Sequence, residues 1–281
     1  MNGNNVLLWV EAHELPTGGI EAWNGAGVAY PEVTGYLIPT LLDYGERKLA
    51  YRLADWLVSI QHTSGAWQGM DNVCHTFDTS AIVEGLEAAY NAQPKSHTGW
   101  IMAATMGRRW LGKQKRTDGS LRRNPEHDDT RVYTMRAGWI MADAAQADYW
   151  RPECAWSEKW NNPERPHYIA YALEGLYHMG QYASVRLVLE GARAAIGDNG
   201  LMPMWAGKGW KHPNGYDAVA SAQFAILFHS SGMFEEAQRL RAGVEQMITQ
   251  DGGIKHAPDD ARCISWAAKY YLDLLKVVEH D

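Results

Sequence analysis

A Gly-containing turn between two helical stretches recurs along this chain about every 45 residues, and this repeat constrains the fold more than any other feature. Six stretches share the unit, in which a helix rich in Leu, Ala and Trp is followed by Gln or Glu, the turn and a second helix. The clearest turns occupy residues 15–23, 61–67, 114–121, 196–201 and 250–254. A fixed period of this size is typical of repeat architectures, so we predict an all-α protein built from helix pairs.

Two classes of helix alternate along the sequence. Residues 47–61, 182–196 and 233–248 carry apolar side chains at helical spacing and a polar opposite face, which predicts outer helices. Helices of the second class are apolar almost all round, which predicts that they are buried inner helices. The second class comprises residues 31–42, 78–90, 130–144, 166–179, 217–230 and 262–277.

The two ends of the chain complete one helix pair. Residues 6–14 read as an outer helix without an inner partner, and the last inner helix, 262–277, has no outer one. Pairing them predicts an (α/α)6 toroid, a barrel of six helix pairs in one domain over residues 1–281, with the N-terminal helix closing the ring beside the C-terminal helix. The third outer helix, 148–160, contains Pro152 and is expected to be short or broken.

Length and composition disfavour several classes of protein. A chain of 281 residues buries roughly 75% of its unfolded surface and needs no disulfide or metal for stability. Three widely spaced Cys residues fit a reducing compartment. No secretion signal and no apolar run of membrane-spanning length are evident, so we expect a cytoplasmic protein. The net charge of −7 disfavours a nucleic-acid partner, and the oligomeric state stays open.

Most of the aromatic residues are Trp or Tyr, whose side chains can form hydrogen bonds. The chain has 13 Trp and 14 Tyr but only 4 Phe. Trp and Tyr combine a flat apolar face with a hydrogen-bonding edge. They therefore suit either helix packing with polar tips at the surface or a cavity for a polar ring such as a sugar, and both interpretations stay open.

The loops that precede the inner helices carry most of the chemically distinctive residues. In a toroid the inner helices run parallel, so these loops meet at one end together with the positive ends of the helix dipoles, which favour an anionic ligand. Five of the loops contain a histidine, which suggests a polar, titratable cleft suited to acid–base chemistry near neutral pH. These residues are His75, His127, His167, His212 and His256.

Other residues of the same layer extend the candidate site. Arg131, Arg136 and Arg165 could each hold a carboxylate in a two-pronged bond. Further substrate contacts are expected from His127, His212, His256, Trp67, Glu164, Tyr216 and Asp217.

Some of these residues also have a purely structural interpretation. Asp78, Asp129 and Asp217 occupy positions where helix N-caps are common. Glu32 follows Pro31 within a first turn, where a negative charge complements the helix dipole.

No metal site or cofactor is predicted. Cys74, His75 and Asp71 could supply zinc ligands, but neighbouring residues on a helix point in different directions. No second pair of ligands stands out in the sequence.

Two segments resemble motifs of the squalene and terpene cyclases. The turn Gln61-x-x-x-Gly-x-Trp67 resembles their Gln–Trp motif, and residues 126–130, Glu-His-Asp-Asp-Thr, resemble their acid motif Asp-x-Asp-Asp-Thr, with Glu in place of the first Asp. This resemblance implies that Asp128 would be a protonating acid. Because the predicted rim is far more polar than a prenyl chain requires, the resemblance implies a shared fold more than a shared activity.

Three longer segments resemble a different group. Residues 30–36, 164–176 and 264–273 together are similar to prenyltransferase-and-squalene-oxidase-repeat-like proteins, which are found beside polysaccharide biosynthesis genes. This similarity extends over nearly the whole chain. Residues 164–176 also resemble the C-terminal toroid of the glucuronyl C5-epimerases, whose helices supply catalytic Tyr.

The first functional hypothesis is a carbohydrate-active enzyme that acts on a uronate-bearing or otherwise anionic glycan as an epimerase or lyase. The reaction would abstract a proton next to a carboxylate, which Arg131 or Arg165 would neutralise. The candidates for the base or acid are His167, His75, Tyr30, Tyr36, Tyr133 and Tyr168.

Three alternatives stay open. A glycoside hydrolase needs two carboxylates, and Glu32 could pair with Asp78 or Asp128. A non-catalytic toroid would bind a glycan, or act as a scaffold, without turnover. A terpene-cyclase-like protein would depend on Asp128.

Overall fold

The repeated turn has one hydrogen-bond pattern in five places. In the second copy the backbone N–H of His62 donates to the carbonyl of Ala66, and the N–H of Gly65 donates back to the carbonyl of His62. The residue three positions after the first donor is always a glycine with positive φ, which this turn requires and side chains disfavour. These glycines are Gly18, Gly65, Gly119, Gly200 and Gly252. The repeat in the sequence is therefore a repeat in backbone geometry.

The computed structural model describes residues 2–94, 97–150, 164–207, 210 and 215–279, and it is mostly helical. In chain order the α-helices of this part are α1 (Asn2–Ala12), α2 (Pro31–Asp43), α3 (Arg47–Ser59), α4 (Thr76–Ala92), α5 (Thr98–Gly112), α6 (Met135–Ile140), α7 (Ala144–Trp150), α8 (Pro166–His178), α9 (Tyr182–Ala192), α10 (Ala218–Ser230), α11 (Phe234–Glu245) and α12 (Ser265–Glu279).

Within the described residues, one short antiparallel pair of strands interrupts the helices. Strand β1 (Met202–Pro203) pairs with β2 (Tyr216–Asp217), so that Met202 lies opposite Asp217. Strand β2 leads directly into α10, and the pairing therefore fixes the position of Asp217 at the start of that helix. Two 3-10 helices, Val132–Thr134 and Arg193–Ala195, are also present.

The chain divides into two compact units. The terminal unit comprises Met1–Val10 and Ala147–Asp281, and the central unit comprises Glu11–Gln146. Within the central unit α4 packs against α2, α5 and α6, and within the terminal unit α10 packs against α8, α11 and α12. A single domain over the whole chain stays a prediction.

Five of the six predicted inner helices lie close to their expected positions. They are α2, α4, α8, α10 and α12. Helix α10 buries ten of its thirteen residues, which is the burial that its uniformly apolar sequence predicts.

The prediction of a continuous inner helix over 130–144 is wrong. The segment forms the 3-10 helix Val132–Thr134, which runs into the six-residue α6. Ala142 then adopts a positive φ of 54°, which ends the helix because this backbone conformation is left-handed. Of the predicted outer helix over 148–160, only the first residues are described, at the end of α7, and residues 151–160 lie outside the described part of the chain.

Among the residues that the structure describes, none of the helices combines the length and hydrophobicity that crossing a membrane requires.

Candidate functional site

Helices α2 and α4 of the central unit each place a buried carboxyl group in their first turn. Glu32 follows Pro31, whose fixed φ suits the first helical position, and Asp78 is the third residue of α4. Glu32 is 6% exposed and Asp78 is 5% exposed. Asp78 is therefore inside α4 rather than at its N-cap, which is His75, so the capping interpretation of Asp78 is wrong.

The pKa of Asp78 is raised well above its ordinary value. Burial of the carboxyl group is the largest cause, and the negative charges of Glu32 and then Asp71 raise it further. Its Oδ2 atom has no hydrogen-bond partner among the described residues. Asp78 thus favours its protonated form, and one of its oxygens is uncommitted within the protein.

The loop before α4 adds a hydrogen-bonded His–Asp pair next to this acid. His75 Nε2 lies 2.8 Å from Asp71 Oδ2, while Asp71 Oδ1 accepts the N–H of Val73 at 3.0 Å. Burial raises the pKa of Asp71, but His75 and Val73 together lower it below its ordinary value. Asp71 accordingly keeps a negative charge, which contributes to the raised pKa of Asp78.

Gly69 keeps the space beside these two carboxyl groups open. A Cβ atom at this position would lie 2.8 Å from Asp78 Oδ2 and 3.2 Å from Asp71 Oδ1. Together, Glu32, Gly69, Asp71, His75 and Asp78 form what we call the Asp78 cluster. In the described part of the chain, no group of three His, Cys, Asp or Glu residues, these included, is arranged to hold a metal ion.

Three residues predicted to bind or react with substrate belong to the core of the central unit. Trp67 is fully buried, and its indole N–H donates to the Leu57 carbonyl at 2.7 Å. Arg136 is 1% exposed, donates to Glu84 at 2.5 Å and lies 5.9 Å from the centre of the Tyr36 ring. Trp67, Arg136 and Tyr36 are thus enclosed by protein, and their role in substrate contacts or catalysis stays a prediction.

The predicted acid motif at 126–130 is a surface loop of ion pairs. The side chain of Asp128 is 74% exposed and accepts from Arg122 Nε at 2.9 Å. Arg131 Nε lies 3.5 Å from Asp129, and His127 Nδ1 lies 2.9 Å from Asn124 Oδ1. The structure does not bring these side chains into an enclosed site, and Asp129 caps no helix because Arg131 occupies the N-cap of the following 3-10 helix.

A second cluster of buried polar groups lies in the terminal unit, and Asp217 is at its centre. Asp217 Oδ1 accepts the N–H groups of Val219 at 2.8 Å and Ala220 at 3.1 Å, which confirms that this residue is the N-cap of α10. Asp217 Oδ2 lies 3.6 Å from both Arg165 Nη2 and His256 Nε2, slightly beyond hydrogen-bonding distance.

The electrostatic surroundings keep Asp217 ionised. Burial alone raises the pKa of this fully enclosed carboxyl, but His256, His167 and Arg165 lower it below the ordinary value. The Asp217 side chain therefore holds one oxygen in the helix cap and presents the other to Arg165 and His256.

His167 is held in a defined orientation beside Asp217. It is the second residue of α8, is 8% exposed, and its Nδ1 lies 2.7 Å from Gln223 Oε1 of α10. Burial lowers the pKa of His167 to about 4, against the opposing effect of Asp217. The ring is accordingly neutral at pH 7, with its proton on Nδ1 and an acceptor at Nε2.

Arg165 connects this cluster to an exposed aromatic ring. Its Nη2 lies 3.3 Å from His256 Nε2, and its guanidinium lies 5.8 Å from the ring centres of Tyr168 and Trp205. Trp205 is 40% exposed. Arg165, His167, Asp217, Gln223 and His256 form what we call the Asp217 cluster.

The remaining predicted site residues lie near these two clusters along the chain. Tyr30 immediately precedes α2, Tyr216 is in β2, and the Glu164 carboxylate accepts the backbone N–H of Arg165 at 3.0 Å. His212 lies outside the described residues.

Sequence reasoning missed Gly69, Gln223 and Trp205. A Gln in the middle of the largely apolar stretch 218–228 is the signal that could have identified Gln223. Gly69 and Trp205 lie in loops where the sequence carries no periodic pattern.

No protein-family description matches this sequence, and no curated relative is significantly similar to it. Solved structures are similar in fold over almost the whole chain. An alpha-amylase from Clostridium perfringens has a TM-score of 0.76 at 12% identity, covering 99% of this chain and 98% of its own. An unsaturated glucuronyl hydrolase specific for heparin has a TM-score of 0.76 at 13% identity. The match covers 99% of this chain and 96% of the hydrolase.

A type II terpene cyclase from Scytonema is also similar, with a TM-score of 0.71 at 15% identity, covering 99% of this chain and 97% of its own. These neighbours are α/α toroid proteins, and the toroid resemblance stated from the sequence is confirmed. The chain thus has the all-α, α/α toroid fold that its helix repeat predicts.

Proposed function

We propose that this protein is a carbohydrate-active enzyme that hydrolyses a glycosidic bond, with Asp78 as the general acid. The observation that carries the proposal is the buried Asp78 carboxyl, whose pKa is raised by burial and by the charges of Glu32 and Asp71. Several toroids of similar fold are glycosidases, and one is an alpha-amylase. Fold alone does not determine activity, so the argument rests on the site.

Two carboxyl groups with different protonation states are what glycoside hydrolysis requires. One must donate a proton to the leaving oxygen, and the other must act as a base towards water or as a nucleophile. Asp78 favours its protonated form and is the donor. Glu32, whose negative charge contributes to that shift, is the second carboxylate.

Hydrolysis fits these groups better than proton abstraction does. A base that removes a proton from carbon needs substantial proton affinity, whereas the pKa of His167 is lowered to about 4 by its burial. Arg165, expected to neutralise a uronate, already lies 3.6 Å from the Asp217 carboxylate. Epimerase or lyase action on a uronate is therefore the second candidate, and glycan binding without turnover is the third.

The test uses a panel of nitrophenyl glycosides and unmodified oligosaccharides with the full chain. Once a cleaved substrate is found, Asp78→Asn and Glu32→Gln should each lower kcat at least 100-fold, within the roughly 10²–10⁴ that general acid–base groups contribute. Asp128→Asn, at the exposed carboxyl, is the matched control and should retain activity.

The alternatives give different results in the same assays. Full activity of a correctly folded Asp78→Asn variant would overturn the assignment of the acid. Deuterium entering C5 of a uronate in heavy water, or unsaturated ends, would instead establish epimerase or lyase chemistry. Loss of a prenyl cyclisation on Asp128→Asn would indicate a terpene-cyclase-like protein.

A further inference from the structure

The Asp217 cluster contains buried hydrogen-bonding atoms that no described residue satisfies. Asp217 Oδ2, Arg165 Nε and Gln223 Nε2 are all buried and lack a hydrogen-bond partner within the described part of the chain. Asp217 is fully buried and Gln223 is 3% exposed. Buried polar groups are normally paired, so this concentration in one place points to a ligand.

The chemistry of the unsatisfied atoms defines the ligand. Asp217 Oδ2 only accepts hydrogen bonds. The neighbouring His167 Nε2 can also accept, because Gln223 Oε1 holds the ring proton on Nδ1. Arg165 Nε and Gln223 Nε2 only donate. A ligand that satisfies both kinds must donate and accept within a small area, as neighbouring hydroxyl groups do.

A carboxylate or phosphate fits the same atoms poorly. Such an anion could accept from Arg165, but it has no proton to offer Asp217 or His167. It would also approach the ionised Asp217, whose Oδ2 already lies 3.6 Å from the guanidinium. Two like charges in contact in a buried site are strongly unfavourable.

Trp205 provides a surface for the apolar face of a sugar ring. Its exposed ring lies 5.8 Å from the Arg165 guanidinium, which places an aromatic face next to the polar group. Binding sites for small polar molecules commonly combine such a face with a few well-placed polar groups.

We propose that the Asp217 cluster and Trp205 bind a neutral, hydroxyl-rich sugar unit rather than a uronate. The sugar hydroxyls bridge the Asp217 and His167 acceptors and the Arg165 and Gln223 donors, while the ring rests against Trp205. That this sugar is part of the substrate or product rests on the proposed function. That a sugar binds here does not, because binding needs no catalysis.

The experiment measures binding of glucose, galactose, mannose, N-acetylglucosamine and glucuronate to the full chain by saturation-transfer NMR and calorimetry. At least one neutral sugar should bind, and glucuronate should bind at least tenfold more weakly than the matching hexose. Trp205→Ala and Arg165→Gln should each weaken neutral-sugar binding at least tenfold. Tyr182→Ala and Arg186→Gln, at exposed residues of α9 in the same unit, are the matched controls and should bind as the wild type does.

Asp217→Asn gives the sharpest result, because the Asn side-chain oxygen can still cap α10 while the negative charge is removed. This variant should lose the discrimination against glucuronate. Tighter binding of glucuronate than of glucose by the wild type, no binding of any sugar, or unchanged binding by Trp205→Ala would each overturn the proposal. Asp78→Asn separates the two proposals. If this variant binds the sugar as the wild type does, and neither protein hydrolyses any substrate of the panel, the binding site stands and the proposed hydrolase activity is overturned.

Discussion

Gly85 of α4 packs so closely against Gly35 of α2 that the carbonyl oxygen of Gly35 occupies the space where a side chain at position 85 would lie. Reciprocally, a Cβ atom on Gly35 would lie 2.7 Å from the Ile82 Cα atom of α4. This contact brings together the two helices whose first turns carry Glu32 and Asp78. The geometry of the proposed carboxyl pair thus depends on two small residues that are not part of it.

Gly85→Ala should therefore destabilise the protein and lower its activity together. The added methyl group meets backbone, which cannot move aside as a flexible side chain could, and we expect a loss of about 2–3 kcal/mol in the free energy of unfolding. Urea denaturation measures it. Gly99→Ala is the control, because Gly99 in α5 has no atom near the added methyl, and it should be neutral or gain up to about 1 kcal/mol. Equal stabilities of the two variants would contradict the close contact.

The sequence predicted the helix repeat because its turns have a strict local requirement. Gly65 and its counterparts need a positive φ, and this requirement is visible as a glycine at a fixed place in each turn. Gln61, the residue that begins the second turn, also has a structural role there. Its amide donates to the carbonyls of Gly65 at 2.8 Å and Ala103 at 2.9 Å. The break near α6 was not predictable in the same way, because Ala142 adopts its left-handed conformation without a glycine or proline to announce it.

The candidate site was only partly predictable, for a different reason. Glu32 and Asp78 were identified because first turns of inner helices are easy to locate from the sequence. The burial of Trp67 was not predictable, since a Trp in a loop can point inwards as easily as outwards, and only packing decides. Asp128 shares the letters of an acid motif but lies on the surface beside Arg122. Burial and pairing, which separate Asp78 from Asp128, depend on contacts between distant parts of the chain.

Asp78→Asn should make the protein more stable relative to the wild type as the pH rises. Because the pKa of Asp78 is raised in the folded state, its contribution is fully present below the ordinary carboxyl pKa of about 4 and is lost as the pH rises through the raised value. Asn cannot ionise and does not lose this contribution. Urea unfolding between pH 4 and pH 8 should show the difference growing in favour of the variant. A constant difference over that range would contradict the raised pKa.

His167 should impose the opposite pH dependence. Its pKa is about 4 in the folded protein, below the ordinary value of about 6.5, so between these values the unfolded chain binds more protons. Stability should therefore fall as the pH is lowered from about 6.5 towards 4, by roughly 2–3 kcal/mol from this residue. The free energy of unfolding of His167→Gln should lack this component. Parallel curves for the wild type and the variant would show that the imidazole is not held neutral.

Gly69→Ala tests whether the open space beside Asp78 is needed for reaction. The added Cβ would lie 2.8 Å from Asp78 Oδ2, so either the carboxyl group must turn away or the methyl group fills the place where a leaving oxygen would approach it. Misplacement of a catalytic group by about 1 Å can lower the rate on the order of 100-fold, and we expect a fall of that size in kcat. Gly112→Ala, at the end of α5 with no atom near the new methyl, should keep wild-type kinetics. Equal kcat values for these two variants, with both folded, would mean that substrate does not approach Asp78 from the side of Gly69, and the general acid would then have to act from another direction or be another residue.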